Sequence, residues 1–234
     1  MAEIGMPPDF AVEPYDSVFD RIANLATQYY RAYEAGAVRE YQSWNQWVSA
    51  WIGVTYRYRS CTEHDEAFSK LVTEFGDNPN PFEKYRQDQE LFNFFVTGLS
   101  AIECTCYGLF AVGSLLNSSN FPLATEKDMS SVNPAKTLEQ FDKSFPKEGI
   151  TAALHSMTSQ PEYKSWKKVR NTLAHRISPG RMIYASVGGP SKTAEWKLDS
   201  IPMDGRATAS RREWLANSLR NILTEADHFT AKHF

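Results

Sequence analysis

With 234 residues, 42% of them hydrophobic and 13% aromatic, the chain can bury a large core; it is long for one helical domain and short for two independent ones. A formal net charge of −3 excludes a protein that coats nucleic acid through its overall charge, since that affinity comes from many cations neutralising phosphates, so any such contact has to be local. The three cysteines, Cys61, Cys104 and Cys106, lack zinc spacing and read as reduced structural thiols of a cytoplasmic protein.

Residues 1 to 14 are acidic and proline-rich, without the basic start and apolar centre of a signal peptide. Tyr15, Val18, Phe19, Ile22, Leu25, Ala26, Tyr29 and Tyr33 then recur at helical spacing and predict a helix from about 14 to 35. Trp44, Trp47, Val48, Trp51 and Tyr58 predict another from about 38 to 60; Trp residues at this period bury apolar area rather than stack bases. A shorter helix carries Ala67, Leu71 and Phe75, and Gly76-Asp77-Asn78-Pro79-Asn80-Pro81 ends it with turn residues, the clearest internal boundary. The longest helix is expected from about 82 to 118. Its run from Leu91 to Leu116 is long enough to span a bilayer, but Asn93, Thr97 and Glu103 make a buried central helix the better reading and no membrane association is expected.

Asn133-Pro134 opens an amphipathic helix with Leu138, Phe141 and Phe145, which Pro146 ends, and a short helix follows over Ile150 to Met157. Two segments, Arg181 to Val187 and Thr193 to Leu198, flank Gly188-Gly189-Pro190-Ser191 and predict a β-hairpin. Ser210 with Glu213 is a capping box, after which Leu215, Leu219, Ile222, Ala226 and Phe229 mark a final helix. The expectation is an all-α bundle forming one domain over 1–234. It comprises an N-terminal helical part, 1–76, and a part over 80–234 with a small hairpin insertion at about 181–198 before the last helix.

Between the short helix and the hairpin lies the segment richest in chemistry. Ser159 with Glu162 has capping-box spacing, Pro161 suits a first turn, and Ser178-Pro179-Gly180 is a stop, which predicts a helix over about 160 to 177. At roughly 100° per residue, Tyr163, Trp166, Val169, Leu173 and Ile177 form an apolar stripe, whose Trp166, Val169 and Leu173 face is expected to pack against the long helix containing Leu99, Ile102 and Phe110. Lys164, Lys168, Asn171 and His175 form a stripe on another side. Arg170 flanks the apolar stripe, about 140° from His175 around the axis, a poor arrangement for one small pocket within one chain, so a second subunit or a fray at the helix end is needed to bring the charges together. A permanent cation, an amide and a titratable imidazole on one short helix suit a phosphodiester. Arg59 and His64 repeat the same spacing without an amide after the Arg.

Arg170, Asn171 and His175, behind Trp166-Lys167-Lys168-Val169, resemble the R-x(4–6)-H signature of the HEPN superfamily, in which the residue after the Arg is usually polar. The resemblance implies a HEPN-like helical fold and a homodimer whose two-fold axis brings both motif copies into one cleft. It also implies metal-independent endoribonuclease activity of the kind found in toxin and antiviral defence systems, with no metal and no organic cofactor. Arg170, Asn171 and His175 would be catalytic, and Lys164, Lys168 and Arg176 would attract the RNA. Glu103, a carboxylate in an apolar helix, needs a partner such as Arg170, a backbone group or a tyrosine. Two other classes remain open: an inert HEPN module that dimerises or binds a nucleotidyltransferase-type antitoxin, and a helical scaffold in which Arg170 and His175 are structural.

Overall fold

The computed structural model describes residues 42–175, 180–184, 192–198 and 200–233, together with 27, 31, 34 and 35. Among them the fold is all-α, seven helices with a small three-stranded antiparallel sheet before the last helix. The helix expected over 14 to 35 falls almost wholly outside the described residues. The helices are α1 (Gln42–Phe75), α2 (Pro81–Leu116), α3 (Glu126–Ser130), α4 (Pro134–Ser144), α5 (Gly149–Ser159), α6 (Pro161–His175) and α7 (Gly205–His233). The strands are β1 (Arg181–Tyr184), β2 (Lys192–Leu198) and β3 (Ile201–Pro202).

The sequence predicts two helices between 38 and 75, whereas α1 is a single helix of 34 residues. No Gly or Pro interrupts Tyr58 to Ala67, and the polar run in between is supported as helix. The Thr62 hydroxyl donates back to the Tyr58 carbonyl at 3.3 Å, and Arg59 pairs with Glu63 one turn on at 2.9 Å. Gly76 ends α1 at φ 69, where a side chain would be strained, with its N–H on the Val72 carbonyl at 2.9 Å. Gln87 Nε2 donates to the carbonyls of Leu71 (3.1 Å) and Gly76 (3.0 Å), tying α2 to the end of α1. Asn80 then caps α2, its Oδ1 accepting from the N–H groups of Phe82 and Glu83, with Pro81 at the first helical position. By length and composition α2 could cross a membrane, yet 67% of its most apolar window is buried inside the protein, as in a core helix.

Two compact units are formed by discontinuous stretches of chain, and α1, α2 and α7 each contribute a segment to both. One unit takes the chain through Tyr56, Ser100–Gln160 and Ala216–Phe234. Its core holds an aromatic cluster of Phe110, Phe121, Phe141, Phe145 and Phe229, mostly edge-to-face at centroid distances such as 5.1 Å for Phe110–Phe121. Gly113 gives Phe121 its seat, because a Cβ there would run into the ring. Trp47 and Trp51 are 1% and 2% exposed and meet edge to face, the core role that their spacing predicts. Asn133 caps α4 as expected, accepting from the N–H groups of Ala135 and Lys136. Glu148 holds the end of α7 through Lys232 at 2.6 Å and His233 at 3.2 Å.

The second unit takes Arg57–Leu99 and Pro161–Leu215. Here the two predicted strands pair antiparallel, Arg181 opposite Trp196 and Met182 opposite Glu195, while residues 185–191 of the predicted hairpin lie outside the described residues; β3 adds an unpredicted edge through Leu198 and Ile201. Arg181 clamps the sheet to the α1–α2 loop. Its guanidinium lies 3.7 Å over the Trp196 ring and donates to the Asp77 carbonyl (2.9 Å) and Asp88 Oδ1 (3.2 Å), with its side chain only 2% exposed. Burial lowers its pKa, and the Asp88 carboxylate opposes that shift. Arg181→Met is expected to cost about 2–3 kcal/mol, below the full penalty of a broken buried pair because Asp88 keeps some water. Arg181→Lys should recover only part of this, since an ammonium lacks both fork and stacking plane. The denaturant midpoint measures it, and an unchanged midpoint in Arg181→Met contradicts the clamp.

The last helix starts earlier than its sequence suggests. Asp204 Oδ1 accepts from the Ala207 N–H at 2.8 Å, so α7 begins at Gly205 and the Ser210–Glu213 pair lies inside it.

Candidate functional site

Helix α6 begins with Pro161 and has Glu162 in its first turn, both favoured there. The expected cap at Ser159 is not formed. Ser159 ends α5 and gives its hydroxyl to the Ser156 carbonyl at 3.1 Å, while an extended Gln160 separates the two helices. Residues that hydrogen-bond back into the turn behind them are lost as caps for the helix ahead.

Trp166 and Val169 are fully buried, whereas Tyr163 and Leu173 are partly exposed, so the apolar stripe faces inward as its period predicts. Trp166 meets the long helix nearer its N-terminus than Leu99, Ile102 and Phe110. Its Nε1 donates to the Phe95 carbonyl at 2.9 Å, and its ring lies 5.1 Å from Phe94 and 5.7 Å from Phe95. Gly98 explains the register, because its missing side chain is the space that the indole fills. On the far side Trp214 of α7 stands 6.1 Å away.

With that face buried, Lys164, Lys168 and His175 are exposed and Asn171 is partly so, all on the predicted stripe. Arg170 is partly buried at the flank. His175 is in the last turn, where the helix dipole favours a cation. Arg176 lies outside the described residues, as do Ile177 and the Ser178-Pro179 stop. Glu103 is partly exposed on the stretch of α2 that belongs to the first unit, and Arg170 belongs to the second. Burial, aided by the Glu103 charge, pushes the Cys106 thiol up to about 12, so this cysteine is no nucleophile.

The repeated spacing at Arg59 and His64 is already engaged. Arg59 pairs with Glu63, and His64 Nδ1 lies 2.6 Å from Glu90 Oε2. Among the described residues no three His, Cys, Asp or Glu side chains converge in a way that could hold a metal ion.

Sequence reasoning passed over Arg211, on the α7 turn that faces α6. Its NH2 group donates to the Ser165 hydroxyl at 3.2 Å and its NH1 to the Ala207 carbonyl at 3.1 Å, with Phe95 under the guanidinium at 5.8 Å. The signal was legible: Arg211 stands four residues before Leu215 and so prolongs the core stripe of the last helix with a charge. Comparison with protein families, curated proteins and solved structures finds no match for the chain.

Proposed function

We propose that this chain is a metal-independent endoribonuclease of HEPN type, active at a homodimer cleft in the cytoplasm and suited to a toxin or defence role. The observation that supports the reading is the division of α6. Trp166 and Val169 anchor the helix, so that Lys164, Lys168 and His175 lie on its exposed side with Asn171 partly exposed, and Arg170 is partly buried at the flank.

RNA carries its own nucleophile. A neutral His175 takes the proton of the 2′-hydroxyl, the 2′-oxygen bonds to phosphorus, and the bond to the 5′-oxygen breaks. A protonated His175 from a second copy gives that oxygen its proton, leaving a 2′,3′-cyclic phosphate and a 5′-hydroxyl. Arg170 supplies a permanent fork of donors to the charged transition state, and Asn171 orients the imidazole or bonds a phosphate oxygen. Because Arg170 and His175 diverge by about 140° on one helix, a two-fold axis near α6 is the arrangement that brings acid, base and charge together in this reading.

The protein is therefore expected to sediment as a dimer at micromolar concentration and to cleave single-stranded RNA in EDTA with cyclic phosphate ends. A protein that is only monomeric, or a dimer that cleaves no RNA, overturns the reading.

A further inference from the structure

Arg211 differs from its neighbours in what it bonds. Arg59 pairs with Glu63, Arg86 with Glu83, Arg181 with Asp88, and Arg212 with Asp65 and Glu66. Arg211 has no carboxylate at ion-pair distance among the described residues; its partners are a hydroxyl and a backbone carbonyl, and its buried Nε has no acceptor. Asp204 and Glu162 act on it only through space, and burial lowers its pKa while leaving it charged. A partly buried cation without a counter-charge is costly unless something else supplies one.

The place on α6 of its partner Ser165 says what that is. Taking Ser165 as origin, Thr172, Lys168 and His175 follow within an arc of about 80° on the same side, whereas Arg170 is about 140° away. Along the axis Ser165 and His175 are about 15 Å apart. Arg211 therefore extends the His175 side of the helix, too far along it to touch the reacting phosphate.

We propose that Arg211 and Lys168 form a phosphate subsite for single-stranded RNA, binding the strand a few nucleotides from the bond that His175 acts on. This rests on the ribonuclease reading and deepens it. Arg211 offers a forked donor to phosphate oxygens, Ser165 holds the fork in place, and exposed Lys168 adds a second charge.

The test is binding of a single-stranded RNA dodecamer to the full chain in EDTA, followed across a salt series. Arg211→Gln is expected to weaken binding several-fold at low salt and to reduce the slope of log K against log salt by about 0.7, one phosphate contact. Lys168→Gln, on an exposed position, should do the same, and Arg211→Lys should keep most of the slope. Lys143→Gln, which removes a charge already paired with Glu139, is the control. In cleavage, KM should rise more on the dodecamer than on a dinucleotide, with kcat little changed. Unchanged slopes in Arg211→Gln and Lys168→Gln, or equal losses on both substrates, overturn the subsite while leaving the ribonuclease reading intact. A wild-type dimer that neither binds nor cleaves RNA overturns both.

Discussion

His175→Ala is expected to lower RNA cleavage by about 100-fold or more, the usual scale for losing a general acid-base group, while folding and dimerisation stay intact. The exposed imidazole in the last turn of α6 contributes little packing, so its loss costs chemistry and not structure. Arg170→Ala should be as damaging, through lost stabilisation of the charge that develops on phosphorus, and Arg170→Lys should not restore it. His64→Ala tests whether spacing alone matters, since Arg59 and His64 repeat the motif but are tied to Glu63 and Glu90; it should keep its activity. The products are checked for 2′,3′-cyclic phosphate ends in EDTA. Wild-type protein that cleaves no RNA moves the assignment to an inert HEPN module that binds a partner, and cleavage that survives without His175 takes the proton transfer away from that residue.

What could be read from the sequence was mostly what a short stretch decides for itself. Asn133-Pro134 starts its helix as expected, and the turn residues from Gly76 to Pro81 mark a boundary where α1 ends and α2 begins. The burial of Trp47, Trp51, Trp166 and Val169 follows equally from their spacing. Where two local signals compete, spacing does not choose between them: Ser159 and Ser210 look like caps, but Ser159 bonds backwards and Asp204 starts α7 nearly two turns earlier. Nor does the weak apolar pattern of Ser60 to Glu66 show whether a helix stops or continues without a breaker. Periodicity names the face that Trp166 buries but not how far along the partner helix it lands; that is set by Gly98, a tertiary fit. Helix α6 divides in the same way. Lys164, Lys168, Asn171 and His175 are one stripe by counting, whereas Arg211 meets the helix at Ser165 from 46 residues further on.

That fit carries the largest expected effect on stability. Trp166→Ala removes a fully buried indole, its hydrogen bond to the Phe95 carbonyl and its ring contacts with Phe94, Phe95 and Trp214, and leaves a cavity between α2, α6 and α7. The cost is expected at about 3–5 kcal/mol, enough to lower the denaturant midpoint of the second unit sharply. Gly98→Ala probes the same place from the other side. A methyl in mid-helix favours the helix by about 1 kcal/mol, but here it would meet the Trp166 ring at Cζ2 and stand 3.0 Å from Cys61 Sγ. Because the indole is held by its hydrogen bond and closed in by three aromatic rings, it cannot swing aside, and overpacking of about 1–3 kcal/mol wins. Replacing the indole with a smaller ring relieves the clash, so Gly98→Ala should cost less in a Trp166→Phe background than in the native one. The double-mutant cycle reads this as a coupling of about 1 kcal/mol between the two positions. Strict additivity, or a Gly98→Ala variant more stable than the parent, would show that Gly98 does not set the register of α6 on the long helix.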